Sequence, residues 1–189
     1  MTSIISHASS DYTLVDSLHF VLSHDNPLNT VIRGSGGRRL YRVSSDNLVD
    51  PEWTMISREG GGEPVATIYW SKIGLHKVST AGGRPRKISK FLSLGRMFSD
   101  VVSFEDDEGR RLEWQGSHSG RKLQLFVEGR PNAPVAKFQK SKVDQMSGQR
   151  LKAYLRVELD GQQMLDTIVW TFIFLERGRR EVARIGRRL

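Results

Sequence analysis

The sequence contains no cysteine among its 189 residues. Disulfides, thiolate metal ligands and cysteine nucleophiles are therefore excluded, and we expect an intracellular protein. No apolar run reaches the roughly 20 residues that a membrane-spanning helix needs. Residues 1–24 lack a basic segment followed by an apolar run, so we predict that no classical signal peptide directs secretion. These absences favour a cytoplasmic protein, or one that binds a membrane only at its periphery.

The motifs that accompany common catalytic and cofactor chemistries are missing as well. The five histidines are scattered, and no pair has the i, i+4 spacing of a zinc site on a helix. There is neither a GxxxxGK[ST] loop nor a GxGxxG turn, and the glycine clusters at 34–37 and 60–62 are typical of tight turns. Segment 116–120 carries His118 where a nucleophile elbow needs serine. We therefore predict no metal, no cofactor and no catalytic residue, so an enzyme is not expected.

Charge is distributed unevenly along the chain, whose formal net charge is +8. Residues 1–63 sum to −3 and residues 100–175 to zero, whereas 64–99 hold seven basic residues and no acid. Residues 176–189 sum to +4. Segregated positive charge favours an anionic partner, which is phospholipid head groups, nucleic acid or an acidic protein. A solvated basic face that only keeps the protein in solution is the alternative.

Two groups of basic residues are candidate sites for this anion. In the first, a Gly-Gly turn carries a basic loop over 82–87, and apolar residues at 91–98 follow directly. Cations beside apolar side chains suit a membrane surface, although most of these apolar residues are also expected to be core. In the second, near the C-terminus, the cations also suit the end of a helix. The candidates are Lys72, Lys77, Arg84, Arg86, Lys87, Lys90 and Arg96 in the first group, and Arg177, Arg179, Arg180 and Arg184 in the second.

Residues 164–175 form the most apolar segment, in which nine of twelve residues are large and apolar. They occupy every side of a helical wheel, which is typical of a helix enclosed on all sides. Asp160 as N-cap, with Gln163 three residues later, fits a capping box, so we predict a helix over about 162–182. Asp166 is expected in its first turn, near free backbone N–H groups. Because β-branched and aromatic residues also form strands well, a buried strand is the alternative.

Short apolar runs separated by turn residues precede this segment, and they predict ten or more strands. The runs lie at 18–22, 29–33, 40–44, 53–57, 65–70, 75–78, 101–104, 111–115, 123–127, 135–138 and 151–157. A sheet of this size tends to curl or close, and an apolar helix can fill its interior. We predict a mainly β (α+β) fold, a closed antiparallel β-barrel around the central helix. A curved two-sheet sandwich with the helix packed on one face is the alternative.

Five segments, taken in their order along the chain, resemble an uncharacterised fungal domain family. They are DNPLNTVI at 25–32, LYRV at 40–43, VATIYW at 65–70, LDTIVWTF at 165–172 and ERGRR at 176–180. That family is similar to the Tubby C-terminal domain, the plant LURP-one-related proteins and the phospholipid scramblases. The resemblance covers about residues 18–182 and implies a Tubby-like barrel around a central C-terminal helix. Tubby domains bind phosphoinositides and scramblases act at membranes, but none of their lipid-binding residues is carried over to a position here.

We predict one Tubby-like domain over 17–189 with a basic C-terminal tail, preceded by a flexible lead-in at 1–16. The predicted function is non-enzymatic binding of an anionic phospholipid, such as a phosphoinositide, through the basic segment at 72–96. A protein-interaction or regulatory module that binds an acidic partner is the second hypothesis. Nucleic-acid binding is the third, because the sequence has no helix-turn-helix, zinc-finger or RNP motif.

Overall fold

The computed structural model describes residues 17–94, 100–117 and 122–186. The predicted lead-in at 1–16 and the candidate Arg96 lie outside these residues. The described chain forms strands β1 (Ser17–Leu22), β2 (Thr30–Arg33), β3 (Arg39–Ser45), β4 (Trp53–Arg58), β5 (Ala66–Tyr69), β6 (Lys77–Thr80), β7 (Arg86–Lys87), β8 (Ser93–Leu94), β9 (Val101–Glu105), β10 (Arg111–Gln115), β11 (Leu123–Val127), β12 (Ala136–Gln139), β13 (Lys142–Val143), β14 (Arg150–Leu151) and β15 (Tyr154–Glu158), followed by helix α1 (Leu165–Ile185).

Most strands lie where the apolar runs predict them. The short strands β7, β8 and β13 lie outside the predicted runs, and the run at 151–157 is divided because Lys152 and Ala153 separate β14 from β15. At this break the Ala153 carbonyl accepts a hydrogen bond from the Leu22 N–H (2.9 Å) instead of continuing the β13–β14 pairing. The short pair β13–β14 therefore forms a hairpin of its own beside the main sheet.

Thirteen strands form one antiparallel sheet in the order β7-β6-β5-β4-β3-β2-β1-β15-β12-β11-β10-β9-β8. Each half is a meander, because short turns leave consecutive strands next to one another. The halves meet at β15, which pairs with β1 on one side and with β12 on the other. The first and last described strands of the chain thus lie together in the middle of the sheet.

The two edges of this sheet, β7 and β8, are consecutive in the chain. Only residues 88–92 separate them, and three of these form a short 3-10 helix (Ile88–Lys90) whose Ile88 is buried. The two edge strands are not hydrogen-bonded to each other, so the ladder is open at this point. The closed barrel predicted from the sequence is therefore not shown. Each edge strand has only two residues, and the chain between them turns inward rather than extending the ladder.

Helix α1 confirms the helix predicted from the all-round apolar segment, and the strand alternative is wrong. All nine residues from 168 to 176 are buried, so this half of the helix is enclosed on every side. The predicted capping box is wrong, because a 3-10 helix (Leu159–Met164) occupies those positions and Met164 is the N-cap without a side-chain bond. Among the described residues, no helix is long and apolar enough to cross a membrane.

Side chains from both halves of the sheet contact α1. Phe138 on β12 packs against Phe172 with ring centroids 4.6 Å apart, and Trp70, which follows β5, stacks on Phe174 at 5.7 Å. Phe91, between the two edge strands, meets Trp170 edge to face at 6.3 Å. The helix therefore lies inside the curve of the sheet.

Asp166 lies in the first turn of α1, as predicted, but its partners are side chains of the sheet. It accepts hydrogen bonds from the Tyr41 hydroxyl (2.7 Å) on β3 and from Arg58 Nε (3.1 Å) and a terminal nitrogen (3.0 Å) on β4. Burial, and next the hydrogen bond to Asp166, raise the pKa of Tyr41. These contacts fix the start of the helix against the first half of the sheet.

Thr171 is a polar group in the middle of the enclosed helix, and its hydroxyl is fully used. The hydroxyl accepts the Trp114 indole N–H (3.0 Å) from β10 and donates to the Thr167 carbonyl (2.7 Å) one turn earlier. Thr171 and Trp114 are both completely buried. The pair therefore joins helix and sheet without leaving a buried donor unpaired.

We expect Thr171→Val to lower the free energy of unfolding by about 1–3 kcal/mol, because the buried Trp114 N–H loses its acceptor while the side-chain shape is kept. Thr167→Val, one turn earlier and partly exposed, is the matched control, with an expected change of about 0.5 kcal/mol or less. Urea denaturation of both variants checks this. Equal stability of Thr171→Val and the wild type would contradict the proposed role of this hydrogen bond.

Candidate anion-binding edge

The exposed edge of the sheet formed by β6 and β7 carries a dense group of cations. Lys77 on β6 and Lys87 on β7 are directly opposed in the strand register, and both are exposed. Lys77 is also directly opposite Tyr69 on β5, so Tyr69, Lys77 and Lys87 form one row across the outer surface of the sheet. Like charges in such cross-strand positions repel one another. An anion on this surface would relieve the repulsion.

The turn between β6 and β7 presents Arg84 on a fixed backbone. The Gly83 N–H bonds to the Thr80 carbonyl (2.9 Å), and the Ser79 hydroxyl donates to the Gly83 carbonyl. Gly82 has a φ of 66°, a conformation that a side chain rarely adopts. The turn is therefore well defined, and Arg84 is held outward at its exposed end.

Five of the seven predicted residues in the first group have no ionic partner in the part of the chain that the structure describes. Among the described residues, no carboxylate lies within 4 Å of any of the following, which we call the edge cations: Lys77, Arg84, Arg86, Lys87 and Lys90. Lys72 differs, because its amine is 3.5 Å from the Asp50 carboxylate. Arg96 lies outside the described residues. The structure thus brings part of the predicted group together and pairs one member elsewhere.

Of the apolar residues that follow the edge cations, Phe91 and Leu92 belong to the core, as predicted. Leu92 is 1% exposed, and Phe91 packs on Trp170. Leu94 is exposed, and Met97 and Phe98 lie outside the described residues. Leu92 and Phe91 are therefore not available to contact acyl chains.

A cavity of about 730 Å³ opens beside the edge cations, at the gap between the two sheet edges and next to the start of α1. Lys90 is the only edge cation that lines it. Two of its carboxylates are already engaged, since Asp106 binds Arg110 (2.7 Å) and Asp166 binds Arg58. Apart from Lys90, the edge cations lie on an exposed outer surface rather than in this cavity, an arrangement suited to an extended anionic partner.

The second predicted group lies on α1 and is largely paired inside the protein. Glu176 is completely buried and binds Arg179 (2.7 Å) and Arg180 (2.7 Å), with the Lys140 amine 3.5 Å away. Arg180 also binds Asp25, in the turn that follows β1. We call these five residues the Glu176 cluster. Arg179 is itself 3% exposed, so an external anion would have to displace Glu176 to reach it.

The other two arginines of this group lie nearer the surface. The Arg177 guanidinium is 4.1 Å from the centre of the Trp70 ring and pairs with Glu181 at 3.2 Å, whereas Arg184 is exposed in the last turn of α1. The sequence analysis does not predict that Glu176 pairs with these arginines. The sequence does contain a signal for this pairing, because Glu176 is followed by basic residues at i+3 and i+4, the spacing of ion pairs on a helix.

Asp25 is the link between this cluster and the rest of the chain. Burial raises the pKa of Asp25, but hydrogen bonds from Ser141 and Arg180 outweigh burial and hold the pKa below its usual 3.8. The ionised carboxylate thus joins three distant segments, namely the turn after β1, the start of the β13–β14 hairpin and α1.

We expect Glu176→Gln to lower the free energy of unfolding by about 3–5 kcal/mol, because the buried Arg179 would lose its charged hydrogen bond with the Glu176 carboxylate. The control is Glu181→Gln, which breaks the more exposed pair with Arg177 and should cost at most about 1 kcal/mol. Chemical denaturation at neutral pH compares the two. Similar small losses in both variants would show that the buried pair does not stabilise the fold.

His76 is the one histidine held by a specific set of contacts at this end of the sheet, among the described residues. Its ring meets Trp70 (5.4 Å) and Phe174 (5.7 Å) edge to face, and its Nδ1 accepts the Ser71 N–H (3.0 Å). Burial, and next the charge of Arg177, lower the pKa of His76 below its usual 6.5. The folded protein therefore favours the neutral ring.

Because the unfolded chain takes up a proton on His76 at higher pH than the folded chain, stability should fall as pH drops below 6.5 toward the lower folded pKa. Above 6.5 the contribution of His76 is fully present. Thermal unfolding of the wild type and of His76→Asn between pH 7.5 and 5.5 checks this, since Asn keeps an acceptor for Ser71 but does not titrate. Identical pH dependence in the two proteins would contradict the role assigned to His76.

Comparisons with known proteins place the chain in a family but do not assign an activity. A model of a family of unknown function, DUF6593, matches residues 25–181, so the chain belongs to this family. No curated protein matches significantly. A solved structure of an Arabidopsis thaliana protein is similar at 14% identity and a TM-score of 0.47, covering 85% of this chain and 90% of that one.

Proposed function

We propose that this member of the DUF6593 family is a non-enzymatic domain that binds anionic phospholipid surfaces through the edge cations. The observation that carries the proposal is a set of five exposed cations without a carboxylate partner among the described residues, two of them directly opposed across β6 and β7. Elsewhere on the described chain, many arginines pair with acids, as Arg39, Arg110 and Arg130 do. The contrast supports an external anion as the missing partner.

An extended anionic surface fits this arrangement better than a small anion in a pocket. The cations lie on a sheet edge and its turn, and only Lys90 also lines the neighbouring cavity. Tyr69, 39% exposed beside Lys77, is a residue type that suits the membrane–water interface. On this proposal the protein acts inside the cell, at a cytoplasmic membrane face, where anionic lipids are concentrated.

Binding through charge alone is weak. Each cation near an anionic surface contributes about 1 kcal/mol, so five contribute about 5 kcal/mol. That corresponds to a dissociation constant of roughly 0.2 mM. A further contact would be needed for stable attachment.

For the fold, we propose that the sheet closes into a barrel-like shell around α1, as in the Tubby-like architecture implied by the sequence resemblance. The six Cα–Cα steps from Lys87 to Ser93 can span no more than about 22 Å between the two edges. The burial of residues 168–176 on all sides also supports an enclosing sheet. The relation to Tubby domains and scramblases, and the fungal origin, stay predictions from the sequence.

The proposal predicts that Arg84→Ala/Arg86→Ala/Lys87→Ala binds vesicles containing phosphatidylserine or a phosphoinositide roughly a hundredfold more weakly than the wild type, through the loss of three cations. The matched control, Arg39→Ala/Arg111→Ala/Arg130→Ala, removes the same charge from residues that pair with acids elsewhere. It should bind like the wild type. Co-sedimentation with neutral and anionic vesicles at physiological salt measures both.

Equal loss in the two triple variants would show attraction by net charge alone and would contradict a site at the edge. Absence of wild-type binding to any anionic vesicle would overturn the proposal and favour an acidic protein partner. Nucleic acid that competes with vesicles for the wild type, and binds more tightly than they do, would favour the third hypothesis from the sequence.

A further inference from the structure

We infer that the loop between β5 and β6, residues 70–76, inserts its apolar tip into the membrane beside the edge cations. This inference rests on the proposed function and names the contact that charge alone does not supply. Ile73 is 80% exposed and Leu75 is 55% exposed, although both are large and apolar. Lys72 and Lys77 flank them in the chain, and Lys87 is opposite Lys77 across the strand register. Apolar tips surrounded by cations match acyl chains beneath anionic head groups.

A neighbouring loop carries two more exposed apolar side chains. Leu48 and Val49, between β3 and β4, are 51% and 74% exposed. The two loops are held together, because the Trp70 N–H bonds to the Glu52 carbonyl (2.8 Å) and Lys72 pairs with Asp50 (3.5 Å). Single exposed apolar residues are ordinary on protein surfaces, but four on two loops that are bonded to each other are unusual and call for a partner.

The tip of the loop is supported by contacts at both ends. The Ser71 N–H donates to His76 Nδ1, and the Gly74 N–H bonds to the Ser71 carbonyl (3.2 Å), which closes a tight turn. The His76 ring is packed against Trp70 and Phe174. The backbone carbonyl of His76 accepts a hydrogen bond from the Ile88 N–H (2.9 Å), next to β7. Ile73 and Leu75 are therefore presented by an ordered turn that is tied directly to the cationic edge.

The β13–β14 hairpin is the rival surface, because it also combines apolar and basic residues. Val143 is 61% exposed and Met146 is 99% exposed, with Lys142 and Arg150 nearby. This hairpin, however, forms a separate two-stranded sheet and is attached through Ser141 to Asp25 rather than to the edge cations. It therefore provides a control of matched chemistry at a different place.

The test compares Ile73→Ser/Leu75→Ser with Val143→Ser/Met146→Ser, using phosphatidylcholine vesicles with and without phosphatidylserine. All four side chains are exposed, so both variants should fold, which circular dichroism and thermal unfolding verify. We expect the first variant to bind anionic vesicles at least about tenfold more weakly than the wild type, since two large apolar side chains no longer leave water. The second should bind like the wild type.

Raising the salt concentration separates the two contributions, because it screens head-group attraction but not apolar insertion. At high salt the wild type should retain measurable binding once attached, and Ile73→Ser/Leu75→Ser should retain none.

If the wild type binds anionic vesicles and this variant binds equally well, the proposed insertion of the loop is overturned while the proposed binding through the edge cations stands. A loss confined to Val143→Ser/Met146→Ser would overturn it in favour of the hairpin. If the wild type binds no vesicle, both proposals fail together.

Discussion

The enclosure of the apolar half of α1 is the constraint on which the rest of the structure depends. Residues 168–176 are buried on every side, so strands from both halves of the sheet must approach the helix. After this apolar segment the helix continues with charged residues, and the first of them, Glu176, is still completely buried. Arg179 and Arg180 neutralise it, and Arg180 draws in the Asp25 turn. Apolar burial and one buried charge cluster thus fix the helix in the sheet.

This arrangement also determines which cations are free for function. Most basic residues of α1 serve the fold, since a buried carboxylate or an aromatic ring lies beside them. The edge cations have no such partner among the described residues. They lie at and near β7, the edge strand that is followed in the chain by the other edge strand, β8. The chain therefore separates structural arginines inside from surface cations at the edge, a distinction that composition and net charge do not make.

The sequence predicts the strands and the helix well because both follow from local periodicity. Short apolar runs between turn residues locate β10 and β11 to the residue, and all-round apolarity identifies α1. The helix start was predicted wrongly, since a 3-10 turn replaced the capping box. The pairing of Arg180 with Asp25 spans 155 positions and leaves no local signal. Nor does composition distinguish Leu92, which is buried, from Ile73, which is exposed at a turn. Only tertiary structure separates core from surface in such segments.

The most direct test of the account uses the absence of cysteine from the chain. Ile73→Cys and Met146→Cys would each give a unique attachment point for a dye whose emission shifts to shorter wavelength in an apolar environment. The account predicts a shift for the dye at position 73 on anionic vesicles, no shift there on neutral vesicles, and no shift for the dye at position 146 on either. A shift at position 146 alone, or at neither position while the protein co-sediments with anionic vesicles, would contradict it.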